Sequence, residues 1–111
     1  MAKLVRSIPR PINELASRIE HGILDASISA SLEEFQELYA GDAKCIVLVF
    51  ERYSYIGSNR VSMSVTLLQS SNSPTQVCAV TSGGSQAMFW KINTFGEEAF
   101  LDTLRDLLDV L

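Results

Sequence analysis

The sequence predicts one α+β domain over residues 1–111, in which an antiparallel sheet of five or six strands carries an N-terminal and a C-terminal helix on one face. Two segments, near the two ends of the chain, repeat apolar residues at helical spacing, whereas the segments between them alternate apolar and polar residues. Short turns join the middle segments, as in an antiparallel meander. The predicted order is β-α-β-β-β-β-(β)-α, and both helices can bury their apolar stripes only against the sheet.

A strand and a helix open the chain. Residues 3–8 have a strand-like composition, and Pro9 and Pro11 end that strand because proline fixes φ and lacks an N–H group. Apolar residues on one helical face then predict a helix over residues 11–22 that ends at Gly22. These apolar residues are Ile12, Leu15, Ala16, Ile19 and Ile23.

The next segment leaves two interpretations open. Alternation of apolar residues with serines from Ser27 to Leu32 predicts a strand. Residues 31–39 fit either a short helix with a capping box at its start or a continued strand with a bulge at Glu33 and Glu34. The strand is favoured, because residues 40–42 then form a hairpin into the next apolar run.

Residues 44–55 are the most apolar of the predicted strands. Both faces of this segment are apolar over residues 45–50, which is expected of an interior strand covered on both sides. After a turn at residues 57–59, the following strand shows the clearest alternation in the sequence. Its apolar residues are Val61, Met63, Val65 and Leu67, and its polar residues are Ser62, Ser64 and Thr66.

Two more turns shape the rest of the sheet. A turn at residues 72–74 precedes a strand over residues 76–82. A glycine-containing turn at residues 82–85 then leads to residues 86–92, which are compatible with a last strand.

A helix over residues 96–110 closes the chain. Thr94 and Glu97 match a capping box, with Thr94 as the N-cap residue. The residues that follow place one apolar stripe on the helix. That stripe consists of Phe100, Leu104, Leu107, Leu108 and Leu111.

Composition excludes several classes of protein. The chain is 47% hydrophobic and 20% charged, as is usual for a globular domain, and its net charge is −4. Its nine Lys and Arg residues are scattered, so we expect no nucleic-acid partner. The longest apolar run, residues 45–50, is too short to span a membrane, and the N-terminus lacks the apolar region of a signal peptide. We therefore expect a cytoplasmic protein without a membrane partner.

The residue types that carry chemistry are sparse. Cys45 and Cys78 lack metal-ligand spacing and lie in apolar strands, so we interpret them as small buried hydrophobic residues without a disulfide. The single histidine, His21, is interpreted as a solvated residue at a helix end. No nucleophile elbow, phosphate-binding loop or CxxC motif occurs. The sequence thus predicts no catalytic residue, no metal site and no cofactor.

One end of the sheet is the candidate site for a polar ligand. Glu51 and the nearby polar residues can converge across the turn at 57–59 on one ligand, and two glycines can add N–H groups for an anion. The alternative is a solvent-facing ladder in which Glu51 merely pairs with Arg60, with the two glycines in a tight turn. The candidate residues are Glu51, Tyr53, Tyr55, Asn59, Arg60, Gly83 and Gly84.

Two long stretches carry a resemblance. ERYSYIGSNRVSMSVTLLQ (51–69) and TSGGSQAMFWKINTFGEEAFLDTLRDLL (81–108) resemble a family of short bacterial proteins of unassigned function, and the similarity extends to the opening MAKLVRSIP. This resemblance implies a bacterial, cytoplasmic, stand-alone domain and transfers no catalytic residue. The element order also resembles a shortened helix-grip domain, in which apolar ligands often bind between helix and sheet.

Three classes of function remain. The leading interpretation is a non-enzymatic module that binds a small or apolar ligand between the last helix and the sheet, although the same residues suit a plain core better than a pocket. The alternative is self-association as a homodimer, or another protein interaction, through the strand face of Ser62, Ser64 and Thr66. An enzyme using Glu51, Tyr53 and Arg60 is the least favoured. The candidate pocket residues are Val61, Met63, Val65, Phe89, Phe100 and Leu104.

Overall fold

The computed structural model describes residues 1–54, 59–83 and 90–111, and the side chains of residues 1–53, 60–83 and 96–111. Within these ranges the elements follow the predicted order β-α-β-β-β-β-α. They are β1 (Ala2–Ile8), α1 (Ile12–Ala26), β2 (Ala30–Ala40), β3 (Ala43–Ser54), β4 (Asn59–Ser70), β5 (Thr75–Gly83) and α2 (Trp90–Asp109).

All pairs of neighbouring strands are antiparallel. Strands β2 to β5 form a meander, and β1 returns to pair with β5, so the sheet order is β1-β5-β4-β3-β2. Strands β3 and β4 are the longest, with 12 residues each. The α+β class and the five-stranded antiparallel sheet are therefore confirmed.

One face of the sheet carries the core. Alternate residues of each strand point to that face and pack against the apolar stripes of α1 and α2, which explains the period-two pattern of the strands. Both layers, the helices and the sheet, contribute to the largest fully buried side chains, which include Leu15, Ile19 and Ile23 of α1, Leu48 and Phe50 of β3, Met63 and Leu67 of β4, and Phe100 and Leu104 of α2.

Helix α1 continues past its expected end. Gly22 was expected to terminate the helix, yet it lies inside α1, which runs to Ala26. A Cβ atom at Gly22 would lie 1.7 Å from Leu107 Cδ1, so the glycine permits close approach of the two helices instead of ending the first. The strand expected to begin at Ser27 begins at Ala30. Ile28 is fully exposed, because a turn closed by Ala30 N–H and Ser27 O occupies this stretch.

The strand interpretation of residues 31–39 is confirmed. The pairing of β2 with β3 changes register between Leu32 and Glu34, which is the bulge expected at this point. Gly41 has a φ of +59° in the hairpin that follows, a conformation that glycine adopts without steric cost.

Strand β3 is interior but covered on one side only. Ile46, Leu48 and Phe50 are fully buried beneath the helices, whereas Cys45, Val47 and Val49 remain half-buried on the opposite face. The expectation of coverage on both sides is therefore wrong for the described part of the chain. An apolar run indicates burial but does not say which layer provides it.

The closing helix begins earlier than its local signals indicate. The backbone is already helical at Trp90, so Thr94 is not its N-cap and residues 90–92 are not a strand. Residues 86–89 of the expected last strand lie outside the described residues. The turn expected at residues 57–59 also lies there, except for Asn59, which begins β4.

Candidate functional site

Two of the predicted site residues form an ion pair. Arg60 Nη1 donates to Glu51 Oε1 at 2.6 Å, across the β3–β4 pair and on the face away from the helices. The Arg60 side chain is 69% exposed, so solvent screens the pair and its contribution to stability is small, about 0–1 kcal/mol. This ion pair is the one expected if the polar residues at this end of the sheet form a solvent-facing ladder and not a ligand site.

The other predicted residues are placed as follows. Tyr53 lies directly opposite Arg60 in the β3–β4 register and is half-exposed on the same face as Glu51. The backbone N–H of Gly83 donates to Glu97 Oε2 at 2.8 Å, so this donor is occupied within the chain. Tyr55 and Gly84 lie outside the described residues, as does the side chain of Asn59. The structure thus brings Glu51, Tyr53 and Arg60 together at one end of the sheet.

Glu97 connects three elements near this end. Its buried carboxylate accepts the Gly83 N–H group of β5 and pairs with the N-terminal ammonium of Met1, while its backbone oxygen accepts the hydroxyl of Thr81 at 3.2 Å. Sequence reasoning assigned Glu97 to a capping box. The contacts of Glu97 with Gly83, Met1 and Thr81 join residues that are distant in the sequence, so no local pattern predicts them.

Arg52 lies on the helix side of β3. Its guanidinium stacks 4.6 Å from the centre of the Phe100 ring, and Nη2 donates to the carbonyl of Gly96 at 3.4 Å. Burial lowers the pKa of Arg52, because desolvation disfavours its charged form. The residue thus anchors α2 to the sheet near Gly96.

The predicted apolar pocket residues belong to the core. Val61, Met63, Val65, Phe100 and Leu104 are all at most 1% exposed and lie in one packed cluster. Phe89 lies outside the described residues. These five side chains fill the space between α2 and the sheet with one another.

The sheet face away from the helices, here called the open face, has a distinct pattern. Cross-strand pairing aligns its outward residues in rows that run from β1 to β2. One row is Lys3, Val80, Ser64, Val49 and Glu34, and the next is Val5, Cys78, Thr66, Val47 and Gln36. The strand face of Ser62, Ser64 and Thr66 lies at the middle of this surface.

The open face carries several apolar side chains among its polar ones. Val5 is 59% exposed, Leu38 52% and Leu68 46%, and Val47 and Val49 are half-buried. None of the described helices packs over this face. Leu68, Cys45 and Leu38 share one cross-strand row of this face, and apolar side chains gathered on a surface can mark an interaction site.

Both cysteines lie on the open face. Cys78 is exposed and Cys45 half-buried, and both are free thiols. Their interpretation as buried core residues is therefore wrong. Alternation placed them on a strand correctly but could not tell a covered face from an uncovered one.

A family model described as a family of unknown function, DUF6054, matches residues 1–111. The chain belongs to this family. No curated protein and no solved structure matched in the corresponding searches. Membership of DUF6054 therefore assigns the whole chain to one family without assigning a role to any residue.

In the described part of this DUF6054 member, one depression lies beside two of the turns and another lies on the helix side of the sheet. A cleft of about 300 Å³ separates the β1–α1 connection from the β4–β5 turn and is lined by residues 9–11, Gln69 and residues 71–74. Gln69 is engaged within the chain, since its side chain accepts the Ile12 N–H group and donates to Ser73 O. A groove of about 180 Å³ lies between α1 and β2.

Lys44 bridges two residues that line that groove, Asn13 and Glu37. Its ammonium donates to Asn13 Oδ1 at 2.7 Å and lies 3.1 Å from Glu37 Oε2. The hydrogen bond to Glu37 is the main cause that raises the pKa of Lys44. The contacts tie α1 to the edge strand β2.

Metal and membrane sites were also sought in the described ranges. No three His, Cys, Asp or Glu side chains gather there in a way that could hold a metal ion. None of the helices described is long and apolar enough to cross a bilayer.

Proposed function

We propose that this domain is a non-enzymatic self-association module, in which the open face binds the same face of a second copy. The observation that supports this most directly is the pair of half-buried valines of β3, Val47 and Val49. They belong to a run that is apolar on both faces of the strand, yet the helices described cover only the face opposite to these valines. A second sheet would cover the other and complete the apolar environment of the strand.

The size of the open face suits a dimer. Five strands about 4.8 Å apart give a width of about 24 Å, and four rows of outward residues about 6.8 Å apart give a length of about 27 Å. Specific protein interfaces bury about 600–1,000 Å² on each partner, and the flat area of the open face is about 650 Å². The face thus reaches the lower end of that range.

The distribution of polarity supports the same proposal. The middle of the open face holds Val80, Ser64, Thr66 and Val47, with no charged residue among them. The charged residues Lys3 and Glu34 stand at its two edges, and Glu51 and Arg60 at one end. An uncharged centre within a polar rim is the usual arrangement of protein interfaces.

Sedimentation equilibrium from micromolar to millimolar concentration tests the proposal. We expect a concentration-dependent dimer that Ser64→Lys weakens by about a hundredfold or more, because two like charges would be buried together. Ser17→Lys is the matched control: it makes the same change on the exposed surface of α1 and leaves the dimer intact. A protein that stays monomeric at millimolar concentration would refute the proposal.

Ligand binding has weaker support. The residues expected to line a pocket under α2 are packed in the core, and Glu51 and Arg60 satisfy each other. The helix-grip likeness, which raised the idea of an apolar ligand, remains an expectation. Native mass spectrometry separates the two functions, since it reports oligomer size and retained ligand in one measurement.

We also retain the expectation of a bacterial cytoplasmic protein. Its support is the pair of free thiols on the open face, because an exposed unpaired cysteine suits a reducing compartment.

A further inference from the structure

We infer that the two copies pack about a two-fold axis parallel to β4, so that Lys3 of each protomer faces Glu34 of the partner subunit. This inference rests on the proposed homodimer and specifies how its two open faces meet.

The inference starts from one row of the sheet. Lys3 pairs with Val80, Val80 with Ser64, Ser64 with Val49, and Val49 with Glu34, so a single cross-strand row carries a cation at one edge and an anion at the other. Lys3 and Glu34 are both exposed. Neither has an ion pair with any of the residues that the structure describes.

Symmetry then decides which residues oppose each other. A face-to-face dimer of two copies requires a two-fold axis in the plane between the sheets. An axis parallel to β4 places β1 of one copy over β2 of the other and superposes the same cross-strand row of both copies. Each Lys3 then lies over Glu34 of the partner subunit. An axis perpendicular to the strands keeps the edge, so β1 lies over β1 and the charges of Lys3 and Glu34 remain uncompensated. Charge complementarity therefore favours the parallel axis.

The interior of the row agrees with this choice. The parallel axis places Val80 over Val49 of the partner subunit, twice by symmetry, and brings Ser64 together with Ser64 of the partner subunit. Apolar side chains then meet apolar ones on both sides of a central hydroxyl pair. Arg60, at the end of β4, lies near the axis, and Glu51 neutralises it within its own protomer.

The distances are compatible with the reach of the side chains. Stacked sheets lie about 10 Å apart, and an aligned packing angle of about −30° displaces opposing edge residues by about 5 Å along the strands. Lysine and glutamate side chains, extended toward each other from Cα, span that separation.

Charge reversal tests the orientation directly. We expect K3E to weaken the dimer about tenfold, and E34K likewise, because each places two pairs of like charges at the edges. An equimolar mixture of the two single variants should form heterodimers with nearly wild-type affinity, since both edge pairs are then of opposite charge. The double variant K3E/E34K should regain nearly wild-type dimer affinity for the same reason. Sedimentation equilibrium at low ionic strength measures all four.

Matched controls and outcomes separate this inference from the proposed function. R18E on α1 and E98K on α2 make the same changes of charge on exposed positions of the helical layer and should not affect the dimer. If the wild-type chain is monomeric, the proposed function fails and the orientation with it. If it dimerises and Ser64→Lys disrupts it, but the mixture of K3E and E34K shows no recovery, the orientation alone is overturned.

Discussion

Gly22 of α1 lies directly against Leu107 of α2: a Cβ atom built on the glycine would stand 1.7 Å from Leu107 Cδ1 and 3.0 Å from its Cγ. The two helices therefore approach each other at a point where one contributes no side chain. The remaining apolar residues of α1 pack on the sheet, so this contact fixes the spacing of the two helices on the shared face.

Replacing Gly22 should reveal two opposing effects. Gly22→Ala adds helix propensity worth about 1 kcal/mol, but it overpacks against Leu107 at a cost of about 1–3 kcal/mol. We expect a net loss of stability of about 1 kcal/mol in the wild-type background. In a Leu107→Ala background the clash is absent, and the same substitution should stabilise by up to about 1 kcal/mol. Urea denaturation of the wild type, the two single variants and the double variant gives the sign of each effect on the free energy of unfolding.

Leu104 and Asp106 test the orientation of α2 on the sheet. Leu104 is fully buried between the helices and the sheet, whereas Asp106 faces solvent. Leu104→Ala should therefore destabilise by about 2–5 kcal/mol, and Asp106→Ala by no more than about 0.5 kcal/mol. Thermal or chemical unfolding measures both. Equal effects from the two substitutions would contradict the packing described for this helix.

The Lys44–Glu37 contact predicts a pH dependence. The hydrogen bond to Glu37 holds the pKa of Lys44 above its ordinary value of 10.5. Because the folded pKa lies above the unfolded one, the stabilisation is fully present below pH 10.5 and is lost as the pH rises through the folded pKa. We expect Glu37→Gln to return the pKa of Lys44 toward 10.5 and to flatten the loss of stability in strong alkali.

An NMR titration of the Lys44 side chain measures this pKa directly. Glu33→Gln is the matched control, because Glu33 lies on the same strand and bonds to Ser31 instead of Lys44. A Lys44 pKa that moves equally in both variants would contradict the role of Glu37.

Local patterns predicted the elements whose burial is periodic. Val61, Met63, Val65 and Leu67 are all buried, as their strict alternation indicated, and even the bulge at Glu33 follows from the change of face that the sequence contains. Propensity and periodicity act over a few residues, so they predict such features.

Features that depend on distant contacts were not predictable in this way. Gly22 has the local signature of a helix end, but its neighbour Leu107 is distant in the chain. Glu97 matches a capping box, yet its carboxylate binds Gly83 and the N-terminus. The Lys3–Glu34 row depends on the pairing of all five strands, so it becomes visible only once the register is known.

The two thiols provide the last prediction. Cys78 is exposed and Cys45 half-buried, so a soluble thiol reagent should modify Cys78 faster. They lie on β5 and β3 with β4 between them, which places the strands about 9.6 Å apart, beyond the Cα separation of about 7 Å that a disulfide tolerates. Reducing agent should therefore leave the thermal midpoint of the protein unchanged.

The dependence of the Cys78 reaction on protein concentration carries more information. In the proposed dimer this thiol is covered by the partner's open face, so its modification rate should fall as the concentration rises through the dissociation constant. Cys45→Ser isolates the Cys78 signal, and Ser64→Lys, which disrupts the dimer, should restore the monomer rate at all concentrations. A Cys78 rate that is independent of concentration, in a protein that sedimentation shows to be dimeric, would mean that the two copies meet elsewhere than on the open face.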